Sequence, residues 1–101
     1  MSFENHATIR YFVSYTGVKM PAKLVGPIDP ETLVTRNTWI RAYYDAEDRL
    51  MGFETIVYNE PELTHRYEYY PNGAIKFVEL INVDREVTHL SYDEAGVMTR
   101  L

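Results

Sequence analysis

The chain has 101 residues, a net charge of −5, 46% hydrophobic and 25% charged residues, and no cysteine. That fits one domain with one core and excludes disulfides, thiolate catalysis and cysteine-ligated zinc or iron–sulfur centres. Residues 1–50 hold six basic and six acidic side chains and residues 51–101 four and nine, so the acidic excess lies in the second half and argues against a nucleic-acid binder, which needs a basic surface.

The first residues, Met1-Ser2-Phe3-Glu4-Asn5-His6, lack the basic and then apolar pattern of a secretory leader. No window approaches the roughly 18 apolar residues of a membrane helix. The expectation is a cytoplasmic protein that meets neither membrane nor nucleic acid.

Residues 8–15 are β-branched and aromatic, Thr16-Gly17 turns the chain, and residues 18–25 return. Pro21 lacks an N–H, which predicts an edge or bulged strand. Gly26-Pro27-Ile28-Asp29-Pro30 is the clearest break. Asp29 and Pro30 suit the cap and first position of a short helix near residues 30–36, with a plain loop as the alternative.

Strands are predicted near 38–44, 50–58, 63–70, 74–82, 86–92 and 97–101. Ile40, Ala42 and Tyr44 form one face of their strand, and Trp39 and Tyr43 lie opposite, so this strand is predicted to be covered on both sides. In the segment from Leu63 to Tyr69, Leu63, His65, Tyr67 and Tyr69 point one way and Thr64, Arg66 and Glu68 the other. The whole reads as an all-β single domain over residues 1–101: an antiparallel meander of eight strands, strongly twisted or partly closed. A flat sheet would leave apolar residues such as Trp39, Ile56 and Val78 on a wet face. The sheet therefore curls, or buries a face against a second copy.

Three segments align: Tyr44-Asp45-Ala46-Glu47-Asp48-Arg49-Leu50, Tyr69-Tyr70-Pro71-Asn72-Gly73-Ala74-Ile75 and Tyr92-Asp93-Glu94-Ala95-Gly96-Val97-Met98. Each reads aromatic, polar turn, apolar. Gly73, Gly96 and, in the first copy, Asp48 occupy the position where a turn needs φ > 0. These hairpins resemble YD repeats of the Rhs type and MORN-like repeats, a resemblance that implies the hairpin unit only. The whole chain is similar to an uncharacterised bacterial family of short proteins. That similarity rests on Tyr11-Phe12-Val13-Ser14-Tyr15-Thr16-Gly17-Val18-Lys19, on Arg36-Asn37-Thr38 through Arg41-Ala42-Tyr43-Tyr44-Asp45, and on His65-Arg66-Tyr67-Glu68-Tyr69. It implies a bacterial origin and transfers no catalytic residues.

Little chemistry is selected. His6, His65 and His89 have no metal-ligand spacing. In register His65 aligns with Thr88 and His89 with Arg66, so no metal and no cofactor is expected. Glu54 and Glu79 hold equivalent repeat positions and could lie near each other, or simply pair with Arg41 and Arg66 across strands. No phosphate loop or nucleophile motif is present. The favoured reading is a non-enzymatic protein-interaction or assembly module that associates with itself or another protein. Its contact candidates are Arg36, Trp39, Arg41, Tyr43, Met51 and Tyr67. The alternative is a small-ligand or small catalytic domain with a Tyr-lined cleft, drawing on His65, Glu68, Tyr69 and Phe77.

Overall fold

The computed structural model describes residue 3 and residues 6–17 and 20–99. Eight strands run in chain order as β1 (Thr8–Thr16), β2 (Lys23–Ile28), β3 (Thr38–Tyr44), β4 (Leu50–Val57), β5 (Glu60–Tyr69), β6 (Ile75–Ile81), β7 (Val87–Tyr92) and β8 (Met98–Thr99). They form one antiparallel sheet in the order β2-β1-β3-β4-β5-β6-β7-β8. From β4 onward each strand lies beside its predecessor. At the start the β1–β2 hairpin docks through β1, so β2 is the outer strand and the sheet stays open.

The break predicted at Gly26-Pro27-Ile28 begins later. All three residues belong to β2, where Pro27 pairs with Phe12, and the chain leaves the sheet at Asp29. A proline without an N–H is tolerated here because β2 is an edge strand. Residues 18, 19, 100 and 101, where strands were also predicted, lie outside the described residues. The short helix is a 3-10 turn over Pro30–Thr35, and the Asp29 side chain does not cap it. The Thr32 hydroxyl instead donates to the Asp29 carbonyl at 2.8 Å, and Thr35 repeats the bond to Thr32 at 2.9 Å.

Four of the five connections after β3 share one local device. Asp45 N–H donates to Arg49 O, Tyr70 to Ala74, Asn82 to Glu86 and Asp93 to Val97, at 2.8–3.1 Å. In each turn the residue before the closing position is left-handed: Asp48 (φ 64), Gly73 (φ 89), Arg85 (φ 65) and Gly96 (φ 90). Asx oxygens fasten all four, Asn72 Oδ1 accepting from the amide of Ala74 in the second. Asp45 Oδ1 accepts from the amides of Glu47 and Arg49, Asn82 Oδ1 from Asp84 and Glu86, and Asp93 Oδ1 from Ala95 and Val97. Between β4 and β5 the two residues Tyr58 (φ 48) and Asn59 (φ 67) make the tight hairpin, the conformation that matches strand twist.

Register fixes two faces. Ala42 pairs with Phe53, Phe53 with His65, and His65 with Leu80. Ile40, Ala42, Phe53, Tyr67, Ile75 and Val78 fill the resulting core, flanked by Phe12, Leu24, Tyr44, Leu50, Tyr69, Leu80 and Leu90. The β1–β2 hairpin folds across this face. Tyr15 lies 5.2 Å from the Phe53 ring, and the Ala22 amide donates to the Tyr67 hydroxyl at 3.2 Å. The chain therefore covers its own apolar face by curling.

Trp39 and Ile56 pair on the opposite face and are also buried, at 8% and 2% exposure. Val78, grouped with them from sequence, belongs to the core face, because it pairs with Tyr67.

Arg85 is a non-glycine residue in a conformation that costs L-residues about 1–2 kcal/mol. Glycine relieves that strain and loses part of the gain to its unfolded-state entropy. Arg85→Gly is predicted to raise stability by about 0.5–1 kcal/mol in urea unfolding, and Arg85→Val to lower it.

Candidate functional site

Antiparallel pairing lays the polar face out in rows. One runs Tyr11, Arg41, Glu54, Thr64, Ile81, Val87; the next runs Ile9, Tyr43, Gly52, Arg66, Glu79, His89. Opposite charges meet in both. Glu54 Oε1 accepts from Arg41 Nη2 at 3.1 Å, from Arg41 Nε at 3.2 Å and from the Tyr43 hydroxyl at 2.6 Å. Glu79 accepts from Arg66 Nη1 at 3.0 Å through Oε1 and faces His89 Nε2 at 3.0 Å through Oε2. Side-chain alternation and strand register together set Arg41 opposite Glu54 and Arg66 opposite Glu79. The two glutamates share the face but sit in different rows, with β5 between their strands.

These contacts set protonation. Burial, reinforced by Glu54, pushes the Tyr43 phenol up to about 12, so it remains a donor. The His89 hydrogen bond, aided by Arg66 and opposed by burial, holds Glu79 below the usual carboxylate range. Glu79 therefore stays ionised at neutral pH.

Phe3 roofs part of this face, a feature absent from the sequence reading. Its ring stacks on Tyr43 at 4.2 Å and 9°, and the Arg66 guanidinium lies 6.0 Å from the ring centroid. Gly52 makes the approach possible. A Cβ there would run into the His65 carbonyl oxygen and would lie 2.6 Å from Phe3 Cε1. A glycine inside a strand is the sequence signal for such an approach. Gly52→Ala is predicted to destabilise the fold by about 1–3 kcal/mol, as overpacking does. Urea denaturation checks this, with loss of the Phe3–Tyr43 contact visible by NMR.

On the core face His65 is 5% exposed. Its Nδ1 lies 2.6 Å from the Tyr67 hydroxyl. That hydroxyl also accepts from Ala22 N–H at 3.2 Å, so the three groups form one hydrogen-bonded unit. Burial lowers the His65 pKa to about 4 and raises that of Tyr67. The unit ties β5 to the connection before β2.

Because the folded pKa of His65 lies below the unfolded value, the unfolded chain takes up the proton first as pH falls. Stability contributed by neutral His65 is full above about pH 6.5 and declines by up to about 3 kcal/mol by pH 4. Denaturation midpoints across this window are predicted to fall more steeply for the wild type than for His65→Asn.

The candidates chosen from sequence are dispersed. Arg36 is exposed after the 3-10 turn, Trp39 is buried, and Arg41 and Tyr43 share the polar face. Tyr67 is buried on the core face, and Met51 lines a shallow depression with Tyr67, Glu68 and Tyr69. Of the cleft residues, His65 and Tyr69 belong to the core face. Glu68 and Phe77 pair on the other, so the four do not converge.

A different cleft exists on the core side. Its volume is about 370 Å³, and Phe12, Ala22, Leu24, Tyr44, Leu50 and Tyr69 line it, with Asp48 and Arg49 also contributing. Both charges are engaged, Asp48 by Arg10 at 2.8 Å and Arg49 by Asp45 at 3.1 Å. The Tyr69 hydroxyl is likewise spent on the Leu50 carbonyl at 2.7 Å.

His65 and His89 lie on opposite faces. Among the described residues no group of three metal-ligating side chains assembles, and no helix is long and apolar enough to cross a membrane.

No curated protein and no solved structure matches this chain. A model for a family of unknown function, DUF6156, matches residues 4–100, and the chain therefore belongs to that family.

Proposed function

We propose that the protein is a non-enzymatic interaction or assembly module that binds further copies of itself or another protein through its exposed sheet surface. The observation that carries this reading is the mutual commitment of the polar-face groups. Glu54 is held by Arg41 and Tyr43, and Glu79 by Arg66 and His89. Such pairs hold arginine and tyrosine in fixed positions, and these residue types dominate protein contacts. His65, the buried histidine, has a hydroxyl as its partner and no carboxylate beside it, which suits a structural role. The likeness of the hairpins to YD and MORN-like repeats, and a bacterial cytoplasmic setting, belong to the same proposal.

The core-side cleft supports a second reading, a small-ligand site. Its volume of about 370 Å³ falls at the lower end of the range of ligand pockets, and its walls are apolar and aromatic. Its nearby charges are already paired, which ranks this reading second.

A native mass spectrum of the purified protein separates the two. An oligomer without added mass is the expected result. A monomer of 11.8 kDa carrying a defined extra mass would favour the cleft instead.

A further inference from the structure

We infer that the distal half of the β1–β2 hairpin, residues 13–26, is a hinged lid on the core face, latched by Tyr67 and His65 and unlatched when the imidazole takes up a proton. β1 pairs with β3 only from Thr8 to Phe12, and beyond Phe12 the hairpin strands pair with each other alone. The point of departure is built as a bend. Phe12 packs on the core and Tyr15 lies beside Phe53, although residues three apart in a regular strand face opposite ways. Gly26 sits against Val13 in a left-handed conformation (φ 73), and a Cβ there would lie 2.9 Å from Val13 Cγ2.

Little besides the latch holds the lid down. Among the described residues of this segment Ala22 alone is buried, whereas Phe53, His65 and Tyr67 on the sheet are all buried. Segments that bury few side chains open at lower free energy than the core they cover. The polar tie is the Ala22 amide on the Tyr67 hydroxyl, which itself lies 2.6 Å from His65 Nδ1.

His65 is placed to work this tie. β1 presents Tyr15 to it at 5.8 Å, β4 presents Phe53 at 4.4 Å, β5 presents Tyr67, and its partner on β6 is Leu80. No carboxylate is among these groups to balance an imidazolium, whose burial is unfavourable. Swinging the lid away returns the ring to water. Burial holds the closed-state pKa at about 4, against about 6.5 for a solvated histidine. The closed form is therefore fully favoured above about pH 6.5 and loses ground as pH falls to about 4, by up to about 300-fold in the open-to-closed ratio. The charged groups of the hairpin lie away from the latch: Arg10 pairs with exposed Asp48 before the bend, and Lys23 is exposed.

The test is amide hydrogen exchange of the full chain by NMR from pH 7 to pH 4, each rate divided by that of an unstructured chain at the same pH. Ala22 is expected to be less protected than the β5–β6 ladder amides at every pH, because the lid opens while the sheet stays paired. Its protection is expected to fall by about tenfold or more between pH 7 and pH 4.5, with the Tyr15–Phe53 ring contact weakening in parallel. In His65→Asn the same change is expected to stay below about threefold. Asp48→Asn removes the carboxylate that faces Arg10 and is expected to keep the full pH dependence.

Ala22 protection equal to that of the ladder amides would mean that the hairpin leaves only by global unfolding, and would overturn the lid. A pH dependence that persists in His65→Asn, or that vanishes in Asp48→Asn, would overturn the assignment of the trigger to His65. The wild-type and Asp48→Asn arms decide the matter even where His65→Asn does not fold.

Discussion

A single sheet has two faces and no second layer to cover either, and the rest of this structure depends on how that constraint is met. The core face holds Ile40, Ala42, Phe53 and Val78 almost without exposure, which a flat sheet cannot achieve. The β1–β2 hairpin supplies the missing layer. It docks through β1 at one side and folds its tip inward, where the Ala22 amide reaches Tyr67 and Tyr67 reaches His65. A buried hydrogen-bonded unit of this kind is costly if any member is unpaired. It therefore acts as a latch that specifies where the hairpin lands.

The opposite face solves the same problem with charge. Arg41 and Arg66 pair with Glu54 and Glu79 across strands. Phe3 adds an aromatic roof over Tyr43 and Gly52. Trp39 and Ile56 pair on this face and are buried without a closed barrel. The Arg41–Glu54 and Arg66–Glu79 pairs hold one another in place, whereas Glu68 on the same face is exposed.

The open ends of the sheet are the remaining cost of this design. A closed barrel has no edges, whereas an open sheet keeps two. In this chain eight of the ten exposed large apolar side chains among the described residues lie in the β1–β2 hairpin or within residues 82–99. Edge chemistry and face chemistry thus divide the surface between them.

Much of the fold was legible in the residues. The alternation of Leu63, His65, Tyr67 and Tyr69 assigned one face of β5, and the expected alignment of His65 with Thr88 and of His89 with Arg66 holds in the sheet, each pair joined through β6. Gly73, Gly96 and Asp48 marked the left-handed turn positions for the same local reason. The fourth turn, at Arg85, was not legible, since Asn82 fastens it and arginine carries no turn signal. The strand order at the start, the inward fold of the β1–β2 hairpin and the seat of Phe3 on Gly52 were decided by tertiary structure alone. Each depends on contacts between residues far apart in the chain, such as Ala22 with Tyr67 and Phe3 with Tyr43. Local propensity and alternation determine strands, faces and turns. They carry no information about which distant surface a hairpin covers, because that choice is made by burial and by the satisfaction of buried polar groups.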